Sequence, residues 1–98
     1  MMNGNTFGSW IGTTTADTDM IPILRAKEEA RITEHKSVAN GFSILQLGIS
    51  APKGTEIEIN GETVRLPSTG VFQLGYGLIE LKSLVFKSAV EANIVYVY

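Results

Sequence analysis

Between Thr55 and Leu66, apolar and polar residues alternate on either side of Asn60-Gly61, the pattern of a hairpin with one buried and one solvated face. A two-residue type I′ turn at Asn60-Gly61 sets Ile59 opposite Glu62, Ile57 opposite Val64 and Glu56 opposite Arg65. Ile57, Ile59, Val64 and Leu66 then share the inward face, and Glu56, Glu58, Thr63 and Arg65 the outward one. The last five residues, Ile94-Val95-Tyr96-Val97-Tyr98, form a different kind of strand. Ile94, Tyr96 and Tyr98 point one way and Val95 and Val97 the other, so neither face is polar. Such a strand belongs inside a sheet, with one face in the core and the other under residues 20–36 or a neighbouring subunit.

The remaining strands are set off by Gly, Pro and Asn at intervals of roughly ten residues, as in a sandwich or small barrel. Phe42 to Ile49 is one. Val71 to Leu74 is another, between Pro67-Ser68-Thr69-Gly70 and Gly75-Tyr76-Gly77. From Leu78 to Phe86 the alternation changes phase, with Ile79 and Leu81 on one parity and Leu84 and Phe86 on the other, which predicts a bulge or bend near Ser83. The expected fold is mainly β: a small antiparallel sandwich or barrel of about six strands, with a flexible N-terminal arm and one short helix. That helix falls at Met20 to Lys36, where Thr18 or Asp19 can cap the first turn and Pro22 is tolerated within it. Ile23, Leu24, Ala26, Ala30 and Ile32 make a patchy stripe, so two short strands, Ile21 to Leu24 and Ala30 to Glu34, remain the alternative. Asn40-Gly41 then marks a turn.

The first 19 residues are built from Asn, Gly, Thr, Ser and Asp, with Phe7, Trp10 and Ile11 as the large apolar groups. Alone, this segment cannot bury enough surface to fold. The chain therefore divides into an extended arm, 1–19, and one β-rich domain, 20–98. The arm is either a frayed terminus or a docking element whose aromatics anchor it on a neighbour. Phe7, Trp10, Ile11, Tyr76 at a turn tip, Val95 and Val97 are the candidate interface residues.

Composition narrows the function. Ninety-eight residues, 44% hydrophobic, make one domain with a small core, which oligomerisation would help to stabilise. A net charge of -2 and a pI near 5.3 give no basic patch for nucleic acid, so no nucleic-acid partner is expected. There is no cysteine, which excludes disulfides, thiolate metal sites and cysteine nucleophiles. The N-terminal residues lack the basic start and apolar run of a signal peptide, and no stretch suits a membrane span; synthesis in the cytoplasm and no membrane partner are expected.

No constellation of catalytic residues stands out. The single histidine, His35, sits in a charged stretch, and no serine lies in a Gly-x-Ser-x-Gly setting. Glu56 and Glu58 alternate on the solvent face of the hairpin, and Glu28-Glu29 fit a helix surface. Asp17 and Asp19 do not follow the spacing of an EF-hand loop, and Gly75-Tyr76-Gly77 lacks the third glycine or following lysine of a nucleotide loop. No catalytic residue, metal or cofactor is expected. Tyr76, Tyr96 and Tyr98 could instead stack on a sugar, which makes a glycan-binding β-sandwich module the alternative function.

The run Gly54-Thr55-Glu56-Ile57-Glu58-Ile59-Asn60-Gly61, the turn into Gly70-Val71-Phe72-Gln73-Leu74 and the apolar last strand resemble the small β-sandwich virion proteins of tailed bacteriophages. In those proteins a minimal strand scaffold carries terminal arms that tie subunits together. The resemblance implies a non-enzymatic assembly protein: a capsid decoration, neck or tail component of a virion, made in the host cytoplasm. Its partners would be other copies of itself, as a homo-oligomer, and larger virion proteins.

Overall fold

The Asn60-Gly61 hairpin folds in the expected register. In the computed structural model, which describes residues 7–34, 44–75 and 81–98, Glu56 lies opposite Arg65, Ile57 opposite Val64 and Ile59 opposite Glu62. Asn60 and Gly61 both take positive φ, 51° and 89°, as a type I′ turn requires.

The elements in chain order are β1 (Phe7–Thr13), β2 (Thr18–Asp19), α1 (Ile21–Glu34), β3 (Gln46–Ser50), β4 (Glu56–Ile59), β5 (Glu62–Arg65), β6 (Val71–Leu74), β7 (Leu84–Phe86) and β8 (Glu91–Val97). They form two four-stranded antiparallel sheets, ordered β1-β8-β3-β6 and β2-β7-β4-β5. Strands pair from the ends of the chain inward, β1 with β8, β2 with β7, β3 with β6 and β4 with β5, which is the arrangement of a jelly roll. The mainly-β expectation holds. Two strands beyond the expected number come from the stretch assigned to the arm. Residues 1–6 lie outside the described residues, but 7–19 supply β1 and β2, because β8 and β7 offer them ladders that the segment cannot build alone.

Between the sheets lie Leu47, Ile49, Ile94 and Tyr96 from one side and Ile57, Leu84 and Phe86 from the other, all buried. The phase change near Ser83 is a real break. Leu81 bridges Ile44, and the chain resumes as β7 at Leu84. Asn60 holds the break: its Oδ1 accepts from the N–H groups of Lys82 (2.7 Å) and Ser83 (3.2 Å), and its own N–H donates to Ser83 O (3.1 Å). Residues 20–36 are helical through Glu34, which settles the choice against two strands. Asp19 Oδ1 accepts from Ile21 N–H at 3.0 Å and from Leu84 N–H at 3.1 Å, so one carboxylate caps α1 and ties it to β7. Strand β3 starts at Gln46; Phe42, the Asn40-Gly41 turn and His35 lie outside the described residues.

Candidate functional site

In an antiparallel sheet, residues directly opposite one another share a face. Register therefore assigns the outer surface of the β1-β8-β3-β6 sheet: Phe7, Ser9, Ile11 and Thr13; Val97, Val95, Asn93 and Glu91; Gln46, Gly48 and Ser50; Gln73 and Val71. Glu91, at one corner, is the sole charged residue in this set. Phe7 is 61% exposed, Ile11 77% and Val71 44%, so three of the described large apolar residues that face water do so here. Val95 and Val97 lie half-buried between them.

The outer face of the other sheet is the opposite in character. Glu56 pairs with Arg65 at 2.6 Å, and Lys87 reaches Asp17 at 3.0 Å and Glu58 at 3.4 Å. These acids raise the Lys87 ammonium above its ordinary value, first through its hydrogen bond to Asp17. Water already suits such a surface. The first sheet carries no comparable charge: apart from Glu91 its outer face holds Phe7, Ile11, Val71, Val95 and Val97 among neutral polar residues, and depletion of charge is a mark of interface centres.

Two shallow depressions open on this face. One, of roughly 550 Å³, is bordered by Phe7, Gln46, Gly48, Gln73, Val95 and Val97; the other, of roughly 520 Å³, lies around Ile11, Asn93, Glu91 and Ser50. Gly48 keeps the first one open and the strands close, since a Cβ there would stand 2.8 Å from Val95 Cγ2.

Of the candidate interface residues, Phe7, Ile11, Val95 and Val97 come together on the outer face, drawn from the two ends of the chain. Trp10 does not join them. It lies opposite Ile94, whose side chain is buried, so it faces inward and packs half-buried against the core. Tyr76 lies outside the described residues.

The sugar-stacking assignment fails for Tyr96 and Tyr98, which are 1% and 3% exposed. Their hydroxyls donate to the two oxygens of Glu28, Tyr96 to Oε2 and Tyr98 to Oε1, each at 2.7 Å. Glu28 is correspondingly no helix-surface charge: it is 1% exposed and also meets Arg31 at 2.8 Å and Lys27 at 3.6 Å. Burial alone would raise the Glu28 carboxyl, but the two hydroxyls, Arg31 and Lys27 together hold it below its ordinary value. Burial and the neighbouring carboxylate push the Tyr98 hydroxyl up to about 12 and that of Tyr96 further. Spacing carried a signal for this: Met20, Leu24 and Glu28 recur every fourth residue and are buried on one helix face. Helix α1 thus meets the tyrosine side of β8, and Val95 and Val97 are on the other side.

Among the described residues, no cluster of three metal-ligating side chains occurs and no helix is long and apolar enough to cross a membrane. Comparison with protein-family models, with curated proteins and with solved structures finds no match to this chain.

Proposed function

We propose that this chain is a non-enzymatic structural protein that works by assembly, and that it is a component of a tailed-bacteriophage virion, as capsid decoration, neck or tail. The observation that supports assembly is the contrast between the two outer faces, one laced with ion pairs and one almost free of charge, with Phe7, Ile11 and Val71 exposed among neutral polar residues. The fold alone does not choose, since capsid subunits, lectin domains and cupins all use jelly rolls. The virion setting rests on the sequence resemblance. Other copies of the chain and larger virion proteins are the partners.

Sedimentation equilibrium on the intact chain and on V71K and V95K tests the reading. Association that both lysines weaken, with far-UV circular dichroism unchanged, supports it. A strict monomer at its highest soluble concentration, with no affinity for virion particles, would overturn it. A second reading, a glycan module, is favoured by the first depression, which Phe7 lines together with the amide-bearing Gln46 and Gln73. A glycan array on wild type and Q73A separates the two, because an assembly face retains no sugar.

A further inference from the structure

Each four-stranded sheet has two edges, and three of the four are blunted. Strand β2 has two residues, β6 has four, and β5 has four with Glu62 and Arg65 among them. Short strands and charges are how proteins keep sheet edges from pairing with other chains. Strand β1 has neither device: it runs seven residues, Phe7–Thr13, without charge, proline or bulge, and among the described residues only β8 pairs with it.

The main-chain groups at this edge can be assigned. Thr14 N–H donates to Val90 O at 2.8 Å, continuing the β1·β8 register by one residue. Antiparallel strands alternate between bonded and non-bonded pairs, so Gly8, Trp10 and Gly12 bond to β8. The N–H and C=O groups of Phe7, Ser9, Ile11 and Thr13 therefore point away from the sheet. Arg31 Nη1 confirms the direction by donating to Phe7 O at 3.0 Å, which closes that end of the edge. Among the described residues, no strand takes up the outward donors and acceptors of Ser9, Ile11 and Thr13.

We infer that β1 pairs edge to edge with β1 of a second copy, antiparallel, about a two-fold axis at Ile11. This deepens the assembly reading and rests on it. The register follows from the Arg31 contact: with Phe7 O taken, the ladder spans 9–13, and Ser9 faces the partner's Thr13 while Ile11 faces the partner's Ile11. Ile11, at 77% exposure, gains an apolar neighbour, and Trp10 lies beside the partner's Gly12, which has no side chain. A second copy suits the edge because neither strand brings charge, so the two meet without like-charge repulsion, and an antiparallel edge is complementary to itself. The two outer faces then join into one continuous surface that carries almost no charge.

The chain has no cysteine, so a single introduced thiol reports the register. I11C should form an interchain disulfide about tenfold faster or more than I23C, an exposed site on α1, because directly opposed residues lie within disulfide reach. S9P removes an outward donor without touching the β8 ladder and should abolish the dimer with unchanged far-UV circular dichroism. Equal crosslinking of I11C and I23C overturns edge pairing, and so does a dimer that survives S9P. If S9P unfolds the chain, the I11C rate decides. Association that V95K dissolves and S9P does not would sink the edge and leave the assembly face standing; the reverse would sink the face and keep the edge.

Discussion

Replacing Glu28 by Gln keeps shape and removes charge at the point where α1 is fastened to β8. Both oxygens accept from buried tyrosine hydroxyls at 2.7 Å, and Arg31 adds a half-exposed ion pair at 2.8 Å. Glutamine keeps one accepting oxygen, so one tyrosine bond falls from charged to neutral and loses about 1 kcal/mol, while the other hydroxyl meets an NH2 that cannot accept its proton and loses about 1–3 kcal/mol. Arg31 can return to water, so its share is small. The expected destabilisation is about 2–4 kcal/mol, or a fall of at least roughly 8 °C in Tm for a domain of this size. Urea and thermal unfolding followed by near-UV circular dichroism would measure it, with Y96F/E28Q cycles isolating the pair.

The pH dependence fixes the sign independently. The folded Glu28 carboxyl lies below its ordinary 4.5, so its stabilisation is present above that value and is lost as pH falls through the lowered one. Tyr98 is raised from 10.0 to about 12, so its contribution is present below pH 10 and is lost as pH rises through about 12. Wild type should therefore lose stability relative to E28Q at the acid end, and tyrosine absorbance should titrate late until the chain unfolds. An E28Q protein with wild-type Tm and a parallel acid profile would refute the account of a charged latch.

Gly8→Ala should cost about 2 kcal/mol in urea unfolding, because the added methyl would stand 2.5 Å from the Tyr96 ring and 2.6 Å from Glu28 Oε2. Asn60→Ala should cost about 1–2 kcal/mol, losing the clamp on Lys82 and Ser83 and a residue tolerant of positive φ. Phe86→Ala, fully buried between the sheets, should cost about 3–5 kcal/mol in the same assay.

What the sequence made legible is what the chain decides locally. The 55–66 hairpin could be placed to the residue because its turn and both strands lie within one window, and alternation penalises any slip. The break at Ser83 was visible as a change of phase, though the Asn60 side chain that holds it comes from a turn far upstream. Strand β1 could not be seen. Phe7-Gly8-Ser9-Trp10-Ile11-Gly12-Thr13 has three positions, Gly8, Gly12 and Ser9, that score poorly as strand, and its ladder is supplied from the other end of the chain. The candidate interface residues show the same division: hydrophobicity marked Phe7, Ile11, Val95 and Val97, but only the register shows that they share a face and that Trp10 does not.

Gly8 and Glu28 connect these observations. A side chain at Gly8 would collide with Tyr96 and Glu28, so β1 lies where it does because position 8 is empty. Glu28 in turn fixes Tyr96 and Tyr98 of the C-terminal segment, and its neighbour Arg31 holds the Phe7 carbonyl at the start of β1. One helical turn thereby fastens both β1 and the β8 segment. Strand β1 has no other strand neighbour among the described residues, so its order depends on β8, the Thr14 contacts to Ser88 and Val90, and this turn of α1. These contacts hold the edge in place, so the edge pairing proposed above would cost a second copy little ordering entropy. Weakening the Glu28 latch should loosen the edge before it unfolds the core, since β1 is the strand that the fold completes by joining its two ends.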